Sequence, residues 1–283
     1  MYISNISRPD LVTAVNKLCR YASDPSHAHY RALFKVITFA YQTRDRYLRY
    51  TQSEDTEGAD PFRLYAASDS SYADCIDTGR STIGRALWMG SKTRGLIDWK
   101  STVPSNVAMS TTQAELQAAS EASKDIIYRR ALLYELGYEQ DGSTRLYVDN
   151  NSCIAQLDAV SSITKSRHYI VMLRQVQETR HLGIIHPYRI DSTDNPADVF
   201  TKALPTLPYW RLTTQIMGDD LETHSHAQFR KSARLQEVSG GSVKGLNSQV
   251  TEINNKIANK ADKDERKREE MTGKRLAMMA NLA

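Results

Sequence analysis

The order of periodicities between residues 62 and 204 constrains this 283-residue chain more than any other feature. FRLYAAS (62–68), TIGRALWMG (82–90) and RGLIDW (94–99) are strand candidates, the last two joined at Gly90-Ser91-Lys92, a hairpin signal. Residues 110–136 then carry a long helical pattern. Ser110 and Thr111 are available as caps, and Leu116, Ala119, Ala122, Ile126, Leu132, Leu133 and Leu136 form the apolar face. Gly137 ends it. RLYVD (145–149) is a buried-strand pattern that runs directly into a helix, NNSCIAQLDAV. Residues 166–181 read as helix, 183–190 as extended, and 195–204 as helix after the turn Ser192–Pro196. Strands that pair as hairpins, followed by strands alternating with helices, predict an α/β fold. Its sheet is antiparallel at the start and parallel later.

The flanks differ from this block. Residues 1–50 predict a helical segment with apolar positions Leu11, Val12, Val15, Leu18 and Cys19, then Leu33, Phe34, Val36, Ile37, Ala40 and Tyr41, broken at Asp24-Pro25-Ser26. The polar, acidic stretch 51–61 reads as a linker. Residues 225–283 hold 12 of the 37 basic side chains and 7 of the 33 acidic ones, a net of +5. Residues 1–224 therefore sit at −1, and the overall +4 does not argue for a basic, nucleic-acid-binding core. In that tail Leu246, Val250, Ile253 and Ile257 make a brief 4-3-4 seam, and the charge-rich stretch from 260 predicts a solvated helix or a disordered tail. No apolar run approaches the ~18 residues of a membrane span. The N-terminus lacks the basic-then-apolar order of a secretory signal. Three scattered cysteines, Cys19, Cys75 and Cys153, suggest neither a disulfide framework nor a zinc site. The expected location is intracellular, cytoplasm or nucleus, with no membrane partner.

Four carboxylates occupy chemically suggestive places. Asp69 ends the first core strand, Glu115 lies early in the long helix, Asp149 ends LYVD, and Asp198 begins the last helix. Strand ends and helix starts of an α/β sheet can converge at one edge, where such folds bind ligands. Converging carboxylates repel one another and are tolerated when divalent cations neutralise them. An all-oxygen donor set selects Mg²⁺ or Mn²⁺ over zinc. Two such ions ~3.5–4 Å apart can activate water and stabilise the leaving oxygen of a phosphodiester. Gly84, Gly90 and Gly95 form no nucleotide-binding fingerprint. Each carboxylate also has an ordinary reading: a turn residue at Asp69, a helix-dipole partner at Glu115, helix caps at Asp149 and Asp198.

The motifs decide between these. SDSSYAD (68–74), GRSTIG (79–84), IDWKS (97–101), STTQAEL (110–116), YVDNNS (147–152) and NPADVFTKALP (195–205) occur in this order. Together they resemble the ribonuclease H domain at the C-terminal end of copia-type LTR-retrotransposon polyproteins. The stretch ISRPDLVTAVNKLCRYASDPSHAHYRALFKVITFAY resembles the family's segment between the reverse-transcriptase palm and that domain. The likeness covers about residues 1–215. It implies an RNase H-like, five-stranded mixed sheet flanked by helices over 62–215, preceded by the helical segment 1–50 and followed by the charged tail 216–283.

It also implies hydrolysis of the RNA strand of an RNA–DNA hybrid. Asp69, Glu115, Asp149 and Asp198 would be the catalytic carboxylates that hold two Mg²⁺ ions, with Mn²⁺ as a substitute. RNA would be told from DNA by its 2′-hydroxyls and by hybrid shape. The implied substrate contacts are Ser71, Arg80, Asn150 and Ser152, with Lys165, Arg167 and His168 at a possible phosphate contact; each is also readable as a cap or surface residue. His186 reads as structural.

The sequence departs from the family at Gln113 and Leu116, and at Ile170 and Met172 after the Arg167-His168 pair. The palm and its aspartate pair have no match in the sequence. The chain is therefore expected not to polymerise DNA alone, although a reverse-transcriptase polypeptide is a natural partner. An element remnant joined to unrelated sequence, or an imperfect gene model, would account for both ends. Two alternatives to a nuclease stand beside it: a catalytically inactive descendant that keeps the fold and binds nucleic acid or a protein, and an interaction protein that uses the 246–257 seam.

Overall fold

A computed structural model describes residues 1–50, 60–91, 94–159 and 167–218, all within one compact unit, Met1–Ser225. Most of the acidic linker, Lys165, and the tail with its 246–257 seam lie outside the described residues.

Three helices come first: α1 (Tyr2–Ile6), α2 (Val12–Cys19) and α3 (His27–Gln42). Pro9 opens a one-turn 3-10 helix ahead of α2, where its missing N–H costs nothing. Ser26 caps α3. The sheet then begins with an antiparallel meander, β1 (Leu64–Ser71), β2 (Thr82–Ser91) and β3 (Arg94–Thr102). Helix α4 (Thr111–Glu135) follows, capped by Ser110, whose hydroxyl accepts from the Gln113 N–H at 3.1 Å. Gln113 returns the contact through its own side chain to the Met109 N–H at 2.8 Å. One departure from the family pattern thus still serves the helix start.

The remaining elements are β4 (Thr144–Val148), α5 (Asn151–Asp158), α6 (Arg167–His181), β5 (Ile185–Arg189) and α7 (Thr206–Met217). Strands β4 and β5 join in parallel on the far side of β1, giving the order β3-β2-β1-β4-β5. This is a five-stranded mixed sheet with flanking helices, an RNase H-like fold.

Alternation along the strands assigns the two cores. Ala66, Leu87, Leu146, Val148 and Ile185 face α4, α5 and α6, packing on Leu116, Ala119, Ala122, Ile126, Leu157 and Leu173. Ala67, Ala86, Trp88 and Trp99 face the other way, onto Val12, Phe200, Leu212 and Ile216. Fully burying side chains such as Trp88, Phe200 and Leu212 is worth about 1.5–3 kcal/mol each.

The N-terminal segment is bolted to this second face by polar contacts. The Trp99 indole donates to the Ser4 carbonyl at 2.9 Å, and the Thr13 hydroxyl to the Val199 carbonyl at 2.6 Å. Arg8 grips the buried Asp10 through two 2.8 Å bonds. Arg46 Nη1 lies 3.6 Å from the same carboxylate, and the Tyr209 hydroxyl donates to the Asp10 carbonyl.

Two expectations change in the structure. The expected helix over 195–204 is a five-residue 3-10 turn, Pro196–Phe200, and a separate helix, α7, begins only at Thr206. Pro205 lacks the N–H that continuation would require. In α3, Leu33 and Ile37 belong to the expected apolar stripe but are exposed. Phe39 turns the helix instead, packing at about 6 Å on Tyr209 and Trp210. Among the described residues no helix is long and apolar enough to cross a membrane.

Candidate active site

The carboxylates meet where β1 and β4 end. Asp69 is third from the end of β1, Asp149 directly follows β4, and Glu115 is the fifth residue of α4. One oxygen from each lies within 4.8 Å of the others. Asp69 is 1% exposed and Glu115 and Asp198 are 5% exposed, so the charges meet largely out of water.

Burial and the neighbouring Asp69 and Asp149 push the Glu115 carboxyl up to about 9. Burial and Asp69 raise Asp149, opposed by a Ser192 hydrogen bond and by Lys202 and Arg189. Burial and Asp69 likewise push Asp198 up to about 7 against the pull of Lys202. Crowding like charges out of water thus favours the protonated form of all three carboxyls. Cys153, beneath the cluster in α5, is pushed up to about 12 by burial, Glu115 and Asp149, and stays an unreactive thiol.

Asp198 arrives from the opposite face. It lies in the Pro196–Phe200 turn, which Asn195 caps through a 3.1 Å bond from the Ala197 N–H. The Asn195 amide also donates to the Ser68 carbonyl at 3.0 Å, tying the turn to β1. Gly84 lies opposite Asp69 in the β1–β2 register. A Cβ there would fall 2.7 Å from Thr201 Cγ2 and 2.8 Å from the Ala197 carbonyl. Only a missing side chain lets the turn sit this close to β2. The Thr201 hydroxyl then donates to Asp69 Oδ2. Lys202 Nζ lies 2.9 Å from Asp198 Oδ1 and 3.7 Å from Asp69 Oδ2.

Asn195, Thr201, Lys202, Gly84 and Ser70 are thus site-building residues that the sequence reading did not single out for these roles. The i, i+4 spacing of Asp198 and Lys202 was the available signal for one of them.

The donor set fits a hard divalent cation. It is all carboxylate oxygen, three oxygens converge, and buried Glu115 Oε2 has no hydrogen-bond partner. Asp69, Glu115 and Asp149 would share one ion, with Asp198 beside Asp69 on the other side.

The expected substrate contacts are placed less uniformly. Ser71 ends β1 opposite Thr82, on the carboxylate edge. Asn150 accepts from the Cys153 N–H at 2.8 Å, the ordinary work of a helix cap, and Ser152 is exposed in the first turn of the same helix. Arg80 is half-buried and lines a cleft of about 840 Å³ with Asn16, Arg20, Lys100 and Ser101, a cleft that none of the four carboxylates lines. Arg167 and His168 begin α6, and their side chains are outside the described set.

No family model matches the chain. The retrovirus-related Pol polyprotein from transposon TNT 1-94 of Nicotiana tabacum is 30% identical over 207 residues, which cover 72% of this chain. The chain is homologous to the Pol polyproteins of copia-type retrotransposons. It spans 15% of the length of that Pol polyprotein. Residues of this chain are also 32% identical over 128 positions to the secreted RxLR effector protein 161 of Plasmopara viticola, 45% of this chain and 84% of the effector. Among solved structures, RNase H1 from Halobacterium salinarum aligns over 49% of this chain and 94% of its own, with a TM-score of 0.35 and 17% identity.

Proposed function

We propose that this chain is a metal-dependent endonuclease that hydrolyses the RNA strand of RNA–DNA hybrids. The observation that carries the reading is the convergence of Asp69, Glu115 and Asp149 within 4.8 Å, with a buried Glu115 oxygen left without a partner. When bound, two Mg²⁺ ions, or Mn²⁺ in their place, would supply a water of lowered pKa and charge for the leaving oxygen. Asp69, Glu115, Asp149 and Asp198 are the residues that would hold them. Ser70 orients Glu115, and Thr201 and Asn195 fix Asp69 and the Asp198 turn against each other. Asp69, Glu115 and Asp198 are buried, which strengthens the charges they carry.

Discrimination for RNA would rest on 2′-hydroxyls and hybrid shape, with Ser71, Arg80, Asn150 and Ser152 as the candidate contacts, while a phosphate contact at Lys165, Arg167 and His168 would position the duplex. In this reading residues 1–50 form a connecting segment, 62–215 the nuclease domain and 216–283 a tail. A reverse-transcriptase polypeptide is a fitting partner, and the cytoplasm or nucleus the fitting place.

Beside the nuclease stands a second reading, a catalytically inactive retrotransposon-derived protein that keeps the fold and binds nucleic acid or a protein partner; the match to 84% of a protein named as an effector bears on the partner, not on the catalysis. Cleavage of a labelled hybrid by the full chain in Mg²⁺ and in Mn²⁺, beside Asp149→Asn, separates the two. Hybrid-specific cleavage lost in the variant supports the nuclease. A folded protein that leaves the hybrid intact in both metals supports the second reading.

A further inference from the structure

Lys202 divides the carboxylate cluster into unequal halves. Its backbone N–H bonds to the Asp198 carbonyl at 3.2 Å, and its ammonium closes back on the Asp198 side chain at 2.9 Å and on Asp69 at 3.7 Å. On this side the negative charge already has a cation. On the other side Glu115 meets Asp69 and Asp149; Glu115 Oε2 and Asp198 Oδ1 both lack a hydrogen-bond partner, but Asp198 Oδ1 has the Lys202 ion pair. Asp69 belongs to both halves.

Resting on the nuclease reading above, we infer that Lys202 is a tethered counter-cation for the Asp69–Asp198 half of the site, which a second divalent ion must displace. The two ions therefore bind unequally: one tightly at Asp69, Glu115 and Asp149, the other weakly at Asp69 and Asp198. The lysine is suited to the exchange. Its side chain is 38% exposed, so the flexible four-carbon stem has a path into water. Its single charge holds the buried carboxylates together without the ion, yet a doubly charged ion outcompetes it. A site that the lysine holds nine-tenths of the time binds its ion about tenfold more weakly than the same site left open. Second-ion occupancy, and with it turnover, then follows the free concentration of divalent ion. Lys202 is in this sense a positioning residue that acts through the metal site.

The test is a titration of the full-length chain with Mn²⁺, free Mn²⁺ being read by electron paramagnetic resonance without nucleic acid. The wild type should show one tight and one weak site. Lys202→Met should tighten the weak site by about tenfold and leave the tight site within about twofold. Lys202→Arg keeps the charge and should behave like the wild type. Thermal unfolding of both variants with the metal chelated reports that they are folded. An unchanged weak site in folded Lys202→Met, equal loosening of both sites, or a single site in every protein would overturn the inference. Hybrid cleavage by the same preparations keeps the two claims apart. Cleavage with unchanged Mn²⁺ binding retains the nuclease and removes the counter-cation. Tightened binding without cleavage by the wild type does the reverse.

Discussion

Ser70 holds Glu115 by one oxygen. Its hydroxyl donates to Glu115 Oε1 at 2.7 Å and its backbone N–H to the same atom at 3.1 Å. The other oxygen, Oε2, is left toward the cluster without a partner. Both bonds favour the charged carboxylate and oppose the burial that raises it. Removing the hydroxyl should therefore weaken the metal site without dismantling it. In Ser70→Ala we expect divalent-ion affinity to fall about 10–100-fold, the usual effect of losing a group that orients a ligand. Activity should recover at saturating metal. Calorimetric titration with Mn²⁺ reads the first outcome, and a Mg²⁺ series of cleavage rates the second. A rate that stays low at saturating metal would place Ser70 in the chemistry itself.

The same carboxylates make the metal-free protein sensitive to base. Glu115 is pushed up to about 9 and Asp198 to about 7, both above their ordinary values of 4.5 and 3.8. The folded state thus binds more protons than the unfolded state between those limits. Stability is fully present below about pH 4 as far as these two groups are concerned. It is lost as pH rises through 7 and then 9. With metal chelated, the unfolding midpoint should fall from pH 6 to pH 9, and Mg²⁺ should restore most of the loss. Glu115→Gln, which cannot ionise, should flatten the chelated profile. A profile that slopes equally in wild type and Glu115→Gln would sink this assignment.

Gly84 and Asn195 carry the turn that delivers Asp198. A methyl at position 84 would meet the Ala197 carbonyl at 2.8 Å and Phe200 Cβ at 2.8 Å, and backbone cannot yield cheaply. Gly84→Ala should cost about 1–3 kcal/mol in urea unfolding. Asn195→Ala removes a cap worth about 1 kcal/mol and leaves the Ser68 carbonyl buried without that donor, so a cost of about 2 kcal/mol or more is expected. Both should lower activity beyond what lost stability explains, because the turn also brings Thr201 to Asp69. Full activity in a folded Gly84→Ala protein would show that the close approach is packing alone.

The sheet was readable because its two faces are apolar at period two and its long helix at period 3.6. Asp69, Glu115 and Asp149 were readable because they sit at element ends, where a mixed sheet gathers them. Their supports were not. Ser71 drew attention by its position at the strand end. Strand parity selects Ser70 instead, since Ala66 already faces α4 and residues two and four further along share that face. Thr201 and Lys202 meet Asp69 from a segment about 130 residues away, a relation that no local pattern encodes. Helix α7 was missed because Pro205 and Pro208 flank its start and two adjacent threonines weaken its helical signal.

The N-terminal segment should prove part of the same folded unit. Asp10 is fully buried and takes two bonds from Arg8 while Arg46 stands 3.6 Å away; Arg8 and Arg46 also donate to Thr43 and Thr213. One carboxylate thus ties the turn before α2 to the end of α3 and to α7. Asp10→Ala takes a buried countercharge away from two buried guanidinium groups, a loss on the order of 3–5 kcal/mol. Arg8→Met with Asp10→Leu removes the inner pair together and should cost much less, because a buried pair is costly mainly when broken. Unfolding in urea should remain a single transition in both variants, with α7 lost together with the sheet. An early transition confined to residues 1–50, read by proteolysis ahead of the main one, would show instead that this segment folds apart from the sheet it covers.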